Sequence, residues 1–216
     1  MRVLEAVPFD GVLAHFARYH PYHSGDPANS NDEAETHIRG AEALAAGRWH
    51  RVLLTGPEVR AVVLPWHLGE DGECELIPRT GLTVAAAAAR LTGWGEAYAG
   101  SNPLCARKLD RQVRSEATPL FLSTRAVGGP DYAELTVRDG LIHLDGLHRM
   151  LAWEMAGRLS PGHRLEAYVA GLSPADVGHG AGHDEDGLDI HPDRKRRHGP
   201  DHVDHMPDVH GGFHPL

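Results

Sequence analysis

Apolar positions recur every three or four residues in two segments near the start of the chain, which is the pattern of helices with one buried face. The first segment follows Asp10, a residue type that caps helices, and stops before Pro21. The second runs from about residue 31 to residue 46, where Gly47 is placed to end it. A short strand or coil precedes both, and the Pro, Gly, Asn and Ser content of residues 21–31 indicates a loop.

Apolar runs typical of strands follow in the middle of the chain. Residues 49–54 and 59–64 are predicted to form two strands around a turn at 55–58. Residues 74–77 are a shorter candidate strand, and residues 82–91 are predicted to form an alanine-rich helix.

The densest pattern lies in the second half of the chain. Residues 93–100 are predicted as a loop, and Asn102 as the cap of a helix that continues to Arg114. The elements predicted after it are a strand at 120–124, a hairpin of 133–138 and 141–145 around Asp139-Gly140, a helix at 147–157 and a strand at 165–169. The sequence therefore predicts an α+β fold in which Gly146 joins a strand directly to a helix.

Length and composition limit the classes of protein and partner. At 216 residues with 41% hydrophobic content, the chain can form one domain with its own core. No apolar stretch approaches the ~20 residues that span a bilayer, and the N-terminus lacks the apolar core of a signal peptide. We therefore expect a soluble, cytoplasmic protein with no membrane partner. A formal net charge of −9 argues against nucleic acid as a partner, because that contact requires clustered cations.

Much of the charge and many of the histidines lie at the C-terminus. Residues 175–216 hold nine acidic residues, four basic residues and eight of the 17 histidines. Large apolar residues are scattered singly there, so the segment cannot bury enough surface to offset its chain entropy. We predict a disordered tail at 175–216, a core at 118–174, and an N-terminal region at 1–117 that packs on the core. Weak metal binding by the tail histidines is an alternative role.

The cysteines and the histidines outside the tail give little local signal. Cys74 and Cys105 lack the spacing of a metal-binding motif and are expected to be small buried hydrophobes. His67, next to Trp66, is expected to be a half-buried surface group rather than a ligand.

The candidate chemistry lies at the strand–glycine–helix junction, Asp145-Gly146-Leu147-His148-Arg149. Cations in the first turn of a helix oppose its dipole by about 0.3–1 kcal/mol each, which a bound anion would offset. The helix N-terminus and Arg149 suit a phosphate, Gly146 lets it approach the backbone, and Asp145 would hold Mg²⁺ or orient a nucleophile. The simpler alternative is that Asp145 caps the helix while His148 and Arg149 are solvated.

Residues 118–171 resemble the ParB/sulfiredoxin-like superfamily. Its members share a strand after proline, a hairpin, a DGxHR motif (here Asp145 to Arg149), a helix ending in glycine and a final strand. The resemblance implies that His148 and Arg149 bind nucleotide phosphates and that Asp145 matches the acidic residue of the kinase-like members. Leu147 stands where sulfiredoxins have their reactive cysteine, and no helix-turn-helix domain follows as in partition proteins, so neither of those activities is expected.

We therefore expect a nucleotide-binding protein that transfers phosphate to a small hydroxyl-bearing metabolite, with ATP, ADP or CTP as the nucleotide and Mg²⁺ as the metal. A non-catalytic, nucleotide-gated regulator or partner-binding protein is the alternative. The sequence does not determine the acceptor or the oligomeric state. The candidate site consists of the catalytic acids Asp145 and Glu116, the nucleotide-binding residues Gly146, Leu147, His148 and Arg149, and Arg125, which with Ser123 and Thr124 would complete the phosphate pocket.

Overall fold

The computed structural model describes residues 1–20, 31–69, 74–136 and 140–178. Its strands are β1 (Arg2–Val7), β2 (Trp49–Thr55), β3 (Val63–Leu64), β4 (Leu82–Thr83), β5 (Leu120–Ser123), β6 (Ile142–Asp145) and β7 (Arg164–Ala170). Its helices are α1 (Phe9–Tyr19), α2 (Asn31–Ala45), α3 (Gly56–Arg60), α4 (Val84–Trp94), α5 (Glu96–Ser101), α6 (Pro103–Val113), α7 (Leu147–Met155) and α8 (Pro174–Gly178). None of the helices in these ranges is long and apolar enough to cross a lipid bilayer.

One mixed sheet of seven strands organises the described residues, in the order β1-β2-β7-β5-β6-β3-β4. Strands β5 and β7 are parallel, as are β3 and β6, and the other neighbours are antiparallel. The predicted core region supplies the three central strands, and the region before it supplies both edges. The α+β fold predicted from the sequence is confirmed.

Helices cover the sheet through two hydrophobic clusters. Strand β5 shows the division, because Leu120 and Leu122 belong to one cluster and Phe121 to the other. The first cluster includes residues of α4, α5, α6 and α7, and the second includes residues of α1 and α2. All four β5 residues are buried, as expected for a strand covered on both faces.

Several elements form where their sequence pattern predicts them. Helices α2 and α7 are confirmed, and so are α6 and the strands β5 and β7, within a few residues at their ends. Alanines and isoleucine on one side of α2 are buried at Ala34, Ile38 and Ala41, which is the predicted apolar stripe. In α1, Asp10 lies in the first turn, and Pro8 occupies the cap position predicted for Asp10.

The predicted strand at 49–54 is confirmed as β2, whereas the predicted turn at 55–58 is wrong. Thr55 and Glu58 form a capping box, and Pro57 lies in the first turn, so the segment begins helix α3 instead of a turn. The strand that follows, β3, is only two residues long and pairs with β4 and β6. A local capping signal therefore outweighed the turn signal of the same residues.

The predicted hairpin around Asp139-Gly140 is also wrong where it can be compared. Residues 133–136 form no strand, and β6 pairs with β5 and β3; residues 137–139 lie outside the described residues. The segment at 74–77 forms only an isolated bridge between His67 and Ile77, and the predicted loop at 93–100 contains α5.

The predicted tail lies mostly outside the described residues. The described residues all belong to one compact unit. The first residues of the predicted tail, 175–178, were predicted to be disordered but belong to helix α8.

Candidate functional site

Strand β6 leads into α7 through Gly146, as the sequence predicts. Gly146 has a φ of +109°. A Cβ atom there would lie 2.6 Å from Leu120 Cδ2 and 3.1 Å from Arg149 Nη2. Glycine is therefore required for packing within the protein, since the space that we expected a phosphate to use is filled by these two side chains.

Asp145 and Arg149 form an ion pair beside this glycine. Arg149 is only 8% exposed, and its guanidinium donates to the Asp145 carboxylate and to Thr118 Oγ1. His20 Nε2 lies 3.2 Å from Asp145 Oδ2, while His20 Nδ1 donates to the Phe16 carbonyl oxygen at 2.9 Å. The structure thus brings the acidic and basic ends of the predicted motif together.

This ion pair keeps Asp145 ionised. Burial by itself raises the pKa of Asp145, but the charge of Arg149 and the hydrogen bond from His20 outweigh it and hold the pKa well below its ordinary value. Asp145 makes no side-chain cap on α7, and Arg149 is buried, so the alternative of a capping acid with a solvated arginine is wrong. Contact between Arg149 and a phosphate stays a prediction, and it would compete with Asp145.

A histidine caps the N-terminus of α7 instead. His143 Nε2 accepts a hydrogen bond from the Leu147 N–H at 3.0 Å. Burial lowers the pKa of His143 to about 3, although Asp145 opposes the change, so the ring is neutral and keeps the lone pair that the cap requires. The predicted nucleotide-binding residue Leu147 is itself buried in the first cluster.

His148, the neighbour of Arg149 on α7, contacts a different set of side chains. Its Nε2 atom lies 3.4 Å from Cys105 Sγ, and His67 Nε2 lies 3.4 Å from the same sulfur. All three ligand atoms lie within 4.8 Å of one another. The imidazole rings of His67 and His148 are 5.4 Å apart and nearly perpendicular. We refer to His67, Cys105 and His148 as the His₂Cys cluster.

Three separate elements position this cluster. His67 lies after β3, where its backbone pairs with Ile77 through hydrogen bonds of 3.1 Å. Cys105 and His148 lie in the first turns of α6 and α7, and Cys105 is fully buried. His67 is half-buried, as the sequence predicts, but its ring contacts Cys105, which is a buried thiol between two imidazoles.

Asn102 fixes the chain segment beside the cluster. It is fully buried, accepts the Cys74 N–H at 2.9 Å, and donates to the carbonyl oxygens of Cys74 at 2.7 Å and Leu68 at 3.3 Å. Asn102 occupies the cap position of α6, but its side chain does not cap that helix, contrary to the prediction. A Cβ atom at Gly69, where φ is +100°, would lie 3.3 Å from Cys105 Sγ, so the backbone passes close to the thiol.

The remaining predicted residues have other partners or exposed positions. Glu116 and Arg125 are exposed, and the described contacts do not bring either to the junction. Ser123 Oγ accepts the backbone N–H of Arg125 at 3.1 Å, and Thr124 Oγ1 donates to the Gly171 carbonyl oxygen at 3.0 Å. The phosphate pocket that these residues were expected to complete stays a prediction.

Comparison with known proteins gives a family. Residues 1–185 match DUF6309, which is described as a family of unknown function. The chain belongs to DUF6309. No curated protein and no solved structure matches it. The DUF6309 match includes the whole His₂Cys cluster and ends before six of the eight tail histidines. The ParB/sulfiredoxin-like resemblance and the bound nucleotide stay predictions.

Sequence reasoning missed the His₂Cys cluster in this DUF6309 chain because its members have no local spacing. Cys105 lies 38 residues after His67 and 43 residues before His148. Only His148 lies in the predicted motif, where it was assigned to phosphate. The signal that could have found the cluster is three-dimensional, namely the packing of α6 against α7 beside the end of β3.

Proposed function

We propose that this domain is a metalloprotein that binds a zinc-class ion through His67, Cys105 and His148. The observation that carries the proposal is that the buried Cys105 thiol has an imidazole on each side, with both Nε2 atoms 3.4 Å from its sulfur. Imidazole and thiolate are the ligands that zinc prefers in proteins, and a tetrahedral His₂Cys set suits it without any carboxylate.

The spacing of the three ligand atoms supports this assignment quantitatively. Zinc binds sulfur at about 2.3 Å and imidazole nitrogen at about 2.0–2.1 Å, which at the tetrahedral angle separates sulfur from nitrogen by about 3.5 Å. The two sulfur-to-nitrogen distances of 3.4 Å nearly match this value, and all three ligand atoms lie within 4.8 Å of one another.

The cluster could support chemistry on a small molecule. When zinc has three protein ligands, its fourth position holds water or substrate, and the ion lowers the pKa of bound water to about 7. The part that the chain plays is to hold the ion in place: α6 and α7 fix two ligands in their first turns, and the Asn102 side chain donates to the carbonyl oxygen of Leu68, next to the third. Metal-assisted hydrolysis is the reaction class that such a site favours.

Phosphate transfer from a nucleotide, the function predicted from the motif, has weaker geometric support. Arg149 is bound to Asp145 and Thr118, and His148 contacts Cys105. Both side chains assigned to phosphate therefore have protein partners. We place metal binding first for this reason.

Cobalt substitution tests the proposal in the full chain. A Co²⁺ ion bound to a thiolate has a sulfur-to-metal charge-transfer absorption in the near ultraviolet. The tail histidines and the more exposed group Glu33, His37 and Asp131 contain no sulfur, so they cannot produce this band. We expect one equivalent of Co²⁺ to produce the band and one equivalent of Zn²⁺ to remove it.

Matched variants assign the band to the cluster. Cys105→Ser is expected to abolish it and His148→Ala to weaken Co²⁺ binding strongly, whereas Cys74→Ser keeps it. A wild-type protein that binds Co²⁺ only with the spectrum of nitrogen and oxygen ligands would overturn the proposal. Rapid alkylation of Cys105 that Zn²⁺ does not slow would instead indicate a cysteine nucleophile with a histidine base.

A further inference from the structure

We propose that the Tyr98 hydroxyl donates a hydrogen bond to the metal-bound Cys105 thiolate, which makes Tyr98 a positioning residue of the His₂Cys cluster. This inference rests on the proposed function, because the strong acceptor is the sulfur in its metal-bound form. It concerns a residue outside the predicted motif and outside the three ligands.

The first observation is an unsatisfied hydroxyl. Tyr98 is only 3% exposed, and its Oη atom is buried with no hydrogen-bond partner among the described residues. A buried polar group without a partner costs about 1–3 kcal/mol, so such groups in folded proteins call for an explanation. A ligand state that supplies an acceptor is one such explanation.

The second observation is the position of Tyr98 next to the cluster. Its carbonyl oxygen accepts the Asn102 N–H at 2.8 Å, so Tyr98, Asn102 and Cys105 follow one another at successive turns where α5 meets α6. The Trp94 ring stacks on Tyr98 at 5.7 Å with an interplanar angle of 5°, which restricts the direction of the hydroxyl.

Electrostatics show which groups lie near the hydroxyl. Burial raises the pKa of Tyr98, side-chain hydrogen bonding to Asn102 opposes the rise, and Cys105 and Cys74 add to it, so Asn102 and both thiols lie near this oxygen although none meets hydrogen-bond geometry. Asn102 already donates its amide hydrogens to two carbonyl oxygens and accepts the Cys74 N–H. Cys105 Sγ is therefore the acceptor whose strength metal binding would increase most.

The chemistry of thiolate ligands explains what the hydrogen bond would do. A neutral thiol is a weak acceptor, whereas a thiolate is a strong one. An O–H donor to the bound sulfur orients it and withdraws electron density, and removal of such outer partners typically lowers metal affinity about 10–100-fold. Metal binding would thus satisfy a hydroxyl that the metal-free protein leaves without a partner.

Tyr98→Phe in the full chain tests the inference, with Tyr168→Phe as the matched control. Tyr168 is another fully buried tyrosine, but it belongs to the second hydrophobic cluster, with residues of α1 and α2. In Tyr98→Phe we expect the Co²⁺ charge-transfer band to move to lower energy and the Zn²⁺ affinity to fall about tenfold. The metal-free thermal stability should stay the same or rise, since the removed hydroxyl has no partner. Tyr168→Phe should change neither the band nor the affinity.

The outcomes separate this inference from the proposed function. If the wild-type protein has no charge-transfer band, the metal site itself is wrong. If the band is present and Tyr98→Phe leaves its energy unchanged, the inference is overturned, whether or not the affinity falls. A fall in affinity alone would indicate that Tyr98 acts through Asn102 and the backbone.

Discussion

Two neighbouring side chains of α7 make separate sets of contacts. Arg149 contacts Asp145 and Thr118, while His148 contacts Cys105. Residue types alone predicted that this junction is unusual, since two cations at a helix N-terminus need a reason. The partners could not be predicted, because Thr118 and Cys105 come from other elements. The pattern indicated the junction, and tertiary packing determines which side chains contact one another there.

The Asp145–Arg149 ion pair predicts a large stability effect at a single residue. Arg149→Ala leaves the mostly buried Asp145 carboxylate with His20 as its remaining ion-pair partner among the described residues, and breaking a buried pair costs about 3–5 kcal/mol. The control is Arg39→Ala, which removes an exposed pair with Glu35 worth about 0.3–0.5 kcal/mol. Urea unfolding measures both. A loss for Arg149→Ala no larger than the control would show that the ion pair is not structural.

His143 predicts a specific pH dependence of folding stability. Burial lowers its pKa to about 3 from the ordinary value of 6.5. Between these values the unfolded chain binds a proton that the folded protein does not. The free energy of unfolding therefore falls as the pH decreases, by up to about 1.4 kcal/mol per pH unit. His143→Gln keeps an acceptor for the Leu147 N–H and cannot titrate.

The difference between wild type and His143→Gln isolates this contribution. Urea unfolding between pH 4.5 and 6.5 avoids the range in which Asp145 titrates, because its ordinary pKa is 3.8 and its folded pKa is lower. The variant should lose less stability than wild type across this range. Parallel stability curves for the two proteins would contradict a neutral, buried His143.

At the scale of elements, a local sequence pattern predicts the correct helix or strand where it is the single pattern present, and fails where two patterns compete in the same residues. Helix α2 forms as predicted because its apolar stripe, Ala34, Ile38 and Ala41, has no competing pattern. At 55–58 the same residues favour a turn and a capping box, and the capping box prevails because Thr55 and Glu58 bond each other's backbone. Such competition cannot be decided without the tertiary partners, which here place β3 against β6.

Replacing a glycine by alanine in α3 and in α4 should change the stability of the fold in opposite directions. At Gly56 in α3, a Cβ atom would lie 2.3 Å from the Leu159 carbonyl oxygen, whereas at Gly93 in α4 nothing lies within 4 Å. Gly56→Ala should destabilise the fold by at least about 1–3 kcal/mol through overpacking. Gly93→Ala should stabilise it by about 0.5–1 kcal/mol through helix propensity. Thermal unfolding compares them, and equal effects would contradict the close packing of α3.

At the scale of the whole molecule, the order of the strands in the sheet could not be predicted from the sequence. The central strands β7, β5 and β6 were each predicted, but β3 joins β6 from about 80 residues away in sequence, and a two-residue strand has no periodicity to detect. The His₂Cys cluster depends on this same arrangement, because β3 leads to His67 and β6 leads to His148. The motif could be found locally, whereas the cluster required the sheet.

Net charge also has a different meaning once it is divided along the chain. Nine acidic and four basic residues give 175–216 a charge of −5, so residues 1–174 carry only −4 of the total of −9. Eight histidines lie in the same terminal segment, and the DUF6309 match covers only its first residues. Metal bound by those histidines has no thiolate ligand, which makes sulfur the feature that identifies the proposed site.

X-ray absorption at the zinc edge tests the central claim most directly. The full chain, loaded with one equivalent of Zn²⁺, should show one sulfur neighbour at about 2.3 Å and two imidazole nitrogens at about 2.0–2.1 Å. The sulfur neighbour should persist in Cys74→Ser and disappear in Cys105→Ser. A wild-type spectrum with only nitrogen and oxygen neighbours would contradict a metal centre formed by His67, Cys105 and His148.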